Sequence, residues 1–88
     1  MTNTQANIVT NAQQELRDSD ATRGLDVNQL GALDKCVKAL IMQERCTLTF
    51  GAYKNDYKVS EINIEEQRIV LRDRRGGTRL TDFSELDG

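Results

Sequence analysis

The chain predicts an α+β fold, an N-terminal helix packed on a small, strongly bent antiparallel sheet of four to five strands, and three observations carry that expectation. From Cys46 to Leu86, short alternating segments and turn residues follow one another with no room for a helix between them. Ahead of them, Leu30, Leu33, Val37, Leu40 and Ile41 recur at intervals of three and four, which lays one apolar stripe along a helix. The length of 88 residues, with 38% hydrophobic and 30% charged side chains, is that of one globular domain. At this size a single core contributes only about 3 to 5 kcal/mol, so a docked helix or self-association is expected to add to it.

Residues 1–24 are polar and rich in Asn, Gln, Thr and Asp, with Ile8, Val9, Ala12 and Leu16 as their only apolar residues at helical spacing. They read as a flexible or weakly helical segment. Met1 to Gln5 is expected to be disordered, and Asp18 to Gly24 to be a linker. The folded unit is then residues 25–88. Asp26 is suited to cap a helix from Val27 to about Glu44, because its carboxylate can accept the free amides of the first turn and Gln29 follows three residues on.

Cys46, Leu48 and Phe50 alternate with Thr47 and Thr49, the pattern of a half-buried strand. Gly51 to Asp56 reads as the following turn. In the next strand Tyr57 and Val59 share one parity while Ile62 and Ile64 have the other, so a bulge or bend is required near Ser60 and Glu61. Glu65 to Gln67 turns the chain into Arg68–Asp73, a central strand in which Val70 is expected to face Leu40 of the helix. Arg74 to Gly77 makes a second turn, Thr78–Thr81 returns, and Phe83 with Leu86 closes the structure as a last short strand or one tight helical turn.

An amphipathic helix over Leu30–Ile41, a first strand Thr47–Phe50, a bent strand Lys58–Ile64, and a hairpin of Ile69–Asp73 with Thr78–Thr81 follow in an order that resembles the Sm-like and SH3-like small barrels. The Hfq family and the Rho-binding antiterminators of the Rof family show a similar pattern. The resemblance implies a partial barrel. The Hfq-type aromatic, lysine and histidine motif before the last strand is absent, so it implies no functional residues.

The chain contains no histidine, which removes the usual general base and the commonest transition-metal ligand. No metal and no cofactor are expected. Glu61, Glu65 and Glu66 sit at a strand end and turn, where acids are ordinarily solvated. Cys36 and Cys46 read as reduced thiols of a cytoplasmic protein, with a disulfide between them as the alternative. Gly76 and Gly77 follow two arginines but lack the longer glycine run of a phosphate loop, and read as a turn. No apolar run approaches the roughly 20 residues of a membrane span.

Binding is therefore the function class that fits, and two groups of residues are its candidates. Tyr53, Lys54, Tyr57 and Lys58 interleave rings and cations near the first turn, with Tyr57 half in the core. Such a set serves either as protein-interface anchors or as stacking and phosphate contacts for RNA. Arg72, Arg74, Arg75 and Arg79 crowd one hairpin end, where strand alternation predicts Arg72 and Arg79 side by side on the outward face. Asp73 and Asp82 are close enough to neutralise part of this charge, and a plain solvated hairpin is the alternative. With a net charge of −2 there is no global field to attract nucleic acid, and any such contact must be local. The expectation is a small non-enzymatic regulatory or inhibitory protein that contacts a larger protein. An RNA-binding Sm-like homo-oligomer and a non-catalytic enzyme subunit are the alternatives.

Overall fold

A computed structural model describes residues 3–86 and places two helices ahead of a four-stranded antiparallel sheet. Helix α1 spans Asn3–Asp18 and α2 spans Val27–Met42, with a short 3-10 turn over Asp20–Thr22 between them. The strands are β1 (Arg45–Phe50), β2 (Tyr53–Asn63), β3 (Arg68–Arg72) and β4 (Thr78–Asp82), and they pair in sequence order as a meander. A second 3-10 turn over Phe83–Glu85 ends the fold, so Phe83 closes it as a tight turn and not as a fifth strand.

The start of α2 is the one its sequence predicts. Asp26 accepts from the Gln29 amide at 2.8 Å while the Gln29 side chain accepts from the Asp26 amide at 2.9 Å, so both halves of the capping box are made. Its end comes earlier than Glu44, because Gln43 takes a left-handed conformation with φ 55° and turns the chain into β1. Leu33, Cys36 and Val37 lie buried against the sheet, and Leu40 is only half-buried.

Residues 3–24 depart most from expectation. Helix α1 is 16 residues long, and Leu16, 3% exposed, belongs to the same core as α2 and the sheet. The reason is pairing with α2. Ala12 packs on the shared core, the Gln13 side chain donates to the Asp34 carbonyl at 3.1 Å, and Arg17 forms an ion pair with Asp34. Beyond α1, the Leu16 carbonyl at the helix end accepts from the Ser19 amide at 3.2 Å, the Ser19 hydroxyl at 2.9 Å and the buried Thr22 hydroxyl at 3.0 Å, so the expected linker is itself packed. Asn3 to Gln5 continue the helix, whereas Met1 and Thr2, for which disorder was expected, lie outside the described residues.

The sheet is an open partial barrel. Gly51, with φ 60°, begins a two-residue turn that pairs Phe50 with Tyr53, so Lys54, Asn55 and Asp56 belong to β2 and not to a turn. Register slips between Val59 and Glu61, which places the bulge at Ser60 and lets both Val59 and Ile62 face inward. Leu48, Tyr57, Val59, Ile69, Leu71 and Thr81 line that inner face. Val70 has the opposite parity: it pairs with Leu80 on the outer face and does not meet Leu40.

Candidate functional site

The bend of the sheet brings β4 toward β1 and leaves a groove of about 510 Å³ at the open end of the inner face. Phe50 forms part of its wall, 9% exposed and in edge contact with Tyr57 at 5.6 Å between ring centres and 79° between planes. The Arg79 guanidinium lies 4.0 Å from the centre of the Phe50 ring, a cation–π contact, and its Nε donates to the Thr81 hydroxyl at 3.2 Å. Because Arg79 pairs with Leu71 and Arg72 with Thr78, Arg79 belongs to the inner face and Arg72 to the outer. The expected outward pair of arginines is therefore not formed.

Tyr53 stands at the mouth of this groove with 79% of its surface exposed. It shares the inner-face parity of Asn55 and Tyr57, being paired with Phe50 as Asn55 is with Leu48. Tyr57 is buried and not half-exposed, so it supports the groove while Tyr53 is free to engage. Gly51, Asn55 and Glu85 complete the lining. Among the described residues neither Arg79 nor Glu85 has an ion-pair partner, so the groove offers one cation and one carboxylate around an aromatic floor.

The remaining candidate residues lie elsewhere. Lys54, Lys58 and Arg72 project from the outer face, opposite to Tyr53 and Tyr57. Arg74 bonds Asp56 at 2.6 Å, and Arg75 lies exposed in the β3–β4 turn. Asp73 makes no ion pair with the arginines: its carboxylate accepts the Arg75 amide at 2.9 Å and the Gly77 amide at 2.8 Å, organising the turn. Asp82 faces Arg68 at 3.6 Å. Asp56 accepts from the Thr47 hydroxyl at 2.8 Å, and that bond, with the Arg74 guanidinium beside it, holds its carboxyl below the usual range.

Both cysteines are free, Cys36 buried and Cys46 half-buried. The hydrogen bond that the Cys36 thiol gives Cys46 raises Cys36 far above the usual thiol range, with burial adding to the effect, and lowers Cys46. Among the described residues, no group of His, Cys, Asp or Glu is placed to hold a metal ion, and no helix is long and apolar enough to cross a membrane. Phe50, Asn55 and Glu85 were not legible as site residues, because only the closure of β4 and the final 3-10 turn toward the β1–β2 hairpin gathers them. Phe50 carries the strand alternation of a core residue, and that was its only signal. Comparison with protein-family models, with characterised proteins and with solved structures finds no match to the chain.

Proposed function

We propose that the protein is a small non-enzymatic binding protein of regulatory or inhibitory kind, which takes an exposed segment of a larger protein into the Tyr53–Arg79 groove. The observation that carries the reading is Tyr53, a large aromatic side chain left 79% exposed beside a buried aromatic pair. Tyrosine has few rotatable bonds and an amphipathic ring, so it anchors a partner at low conformational cost. A segment with an apolar side chain for the Tyr53 ring, and a carboxylate for the Arg79 guanidinium that lies over Phe50, matches the lining. The separation of both tyrosines from Lys54, Lys58 and Arg72 favours a polypeptide here over a nucleic-acid strand, which would require stacking and phosphate contacts side by side. The bulge at Ser60 and the open four-stranded sheet support the Sm-like or SH3-like kinship within this reading. A cytoplasmic setting, where cysteines such as Cys36 and Cys46 stay reduced, belongs to it as well.

Capture of partners from host lysate with and without nuclease, with mass read by light scattering, tests the proposal. A nuclease-resistant complex whose dissociation quickens at least about tenfold with Tyr53→Ala is the expected result. A complex that survives nuclease but is indifferent to both Tyr53→Ala and Arg79→Ala would remove the groove from the interface. A homo-oligomer with the groove buried between copies would replace the larger partner by a second copy of the chain.

A further inference from the structure

The outer face of the sheet carries an arrangement that stability alone disfavours. Arg45 pairs directly with Lys58 across β1 and β2, and Lys58 pairs directly with Arg72 across β2 and β3, so three cations form one row over three adjacent strands. Neighbouring strands are about 4.8 Å apart, which makes the row roughly 10 Å long. Like charges directly opposite one another destabilise a sheet. None of the three has a carboxylate within ion-pair distance among the described residues: Asp56 is bonded to Arg74 and Thr47, Glu61 lies beyond the bulge opposite Val70, and Glu44 faces Lys38.

The surroundings indicate what would compensate them. On the same face Lys54 lies opposite Thr49, Asp56 opposite Thr47 and Thr78 opposite Arg72, so hydroxyls flank the cations together with one carboxylate that Arg74 and Thr47 already engage. Leu40, Gln43, Lys58, Val59, Ser60 and Arg72 line one open depression of about 490 Å³ where the C-terminal end of α2 meets the bulge. No aromatic or aliphatic side chain stands at the outward positions of the β1–β2 hairpin, and the exposed Val70–Leu80 pair lies farther along β3 and β4. A protein partner draws its affinity from a desolvated apolar centre, which the outward positions around the row do not form, since Val59 is buried and Leu40 half-buried in the depression beside it. A polyphosphate chain draws it from released counterions and donor-rich contacts, which this area supplies.

We propose that the Arg45–Lys58–Arg72 row is a phosphodiester-backbone site, at which the protein binds nucleic acid without reading its sequence, on the face opposite the Tyr53 groove. With no ring on this half of the face for a base to stack on, contact is confined to the backbone. The site is independent of the partner assigned to the groove, and the two surfaces would let one small domain hold a protein and a nucleic acid together.

The test uses the full chain with a labelled oligouridylate, the matching oligothymidylate and polyglutamate, titrated over a range of salt. Both oligonucleotides should bind at low salt, and binding should weaken linearly in log affinity against log salt. The variant R45Q/K58Q/R72Q should lose at least about tenfold in affinity and flatten that slope by about 2, since each phosphate contact on a single strand contributes about 0.7 to it. Lys58→Gln alone, at the centre of the row, should flatten the slope by about 0.7 and leave the thermal midpoint equal or higher, because it relieves repulsion. Tyr53→Ala and the distant Arg23→Gln should change neither affinity nor slope. Equal binding of the two oligonucleotides assigns the shared backbone, and a preference for oligouridylate assigns RNA as its source. Absence of oligonucleotide binding, an unchanged slope in the triple variant, or polyglutamate bound as tightly as either oligonucleotide would overturn the proposal, the last in favour of an acidic protein surface.

Discussion

Helices α1 and α2 have the same length, 16 residues, and are built on different terms. Helix α2 carries its own instructions: a complete capping box at Asp26, a continuous apolar stripe, and a left-handed stop at Gln43. In α1 the polar residues predominate, and Val9 and Leu16 are its buried apolar side chains. What holds it is external, through Leu16 in the common core, Gln13 on the Asp34 carbonyl, and Thr22 on the Leu16 carbonyl. An isolated helix of this length and composition is marginal in water, so α1 is helical because α2 and the sheet offer it a surface. A domain this small has little stability in reserve, and the borrowed helix becomes part of what keeps it folded.

The comparison is broken most directly by removing residues 1–24. Deletion uncovers the surface on which Leu16 rests, and the expected result is loss of a cooperative thermal melt, followed by circular dichroism. A truncated chain starting at Leu25 that melts cooperatively near the full-length midpoint would show α1 to be an appendage, and the folded unit to be residues 25–88 as the sequence pattern alone divides them.

Single core substitutions grade the same contrast. Leu33 lies 1% exposed in α2, and Leu33→Ala should cost about 3 to 5 kcal/mol in urea unfolding, against about 2 to 3 for Leu16→Ala in α1. If Leu16→Ala falls below about 0.5 kcal/mol, α1 is not part of the core in solution.

Smaller effects are expected at the helix ends. Asp26→Ala removes the cap of α2 and should cost about 1 kcal/mol, while Gln13→Ala, which removes only a partly exposed bond between the helices, should cost about half of that. The reverse order would mean that α1 is fastened by its polar bonds and not by Leu16.

The least effect concerns Asp56, outside both helices, and serves as a reference for them. Its carboxyl is held below the ordinary value by Thr47 and Arg74, so the charged form is favoured in the folded state. Its contribution is complete above the unfolded carboxylate value, roughly pH 4, and is lost as pH falls through the lowered folded value. Asp56→Asn should therefore narrow the stability difference from the parent protein on acidification, measured as urea midpoints at neutral and acid pH. An equal difference at both would detach the Asp56 bonds from stability.

How much of the site was legible follows the same division between local and borrowed order. Tyr53 is legible because rings and cations stand together near a turn, which is a local signal. Arg79 belongs to a cluster visible in the sequence, but alternation within each strand does not fix the register between strands, and the register sets Leu71, not Arg72, opposite Arg79. Glu85 comes into reach of the groove only when the final 3-10 turn packs, and Arg45, just ahead of the first alternating strand, gains meaning only from its register with Lys58. Val70 failed for a related reason: in Ile69, Val70 and Leu71 the apolar run has no period, and burial of Ile69 and Leu71 chose the inner face.

The sequence by itself determined the α+β class, the start and cap of α2, a turn beginning at Gly51 and another over Arg74–Gly77, and the change of inward parity that forces a bulge near Ser60 and Glu61. Each of these is decided within a few residues by backbone sterics, capping chemistry or periodicity. Only the tertiary structure decided that α1 folds against α2, that the sheet bends until Arg79 covers Phe50, and that Arg45, Lys58 and Arg72 fall into one row. Those outcomes depend on strand register and on contacts between residues far apart in the chain. Their free energy comes from burial that exists only when all the elements are assembled, so no local pattern can record it.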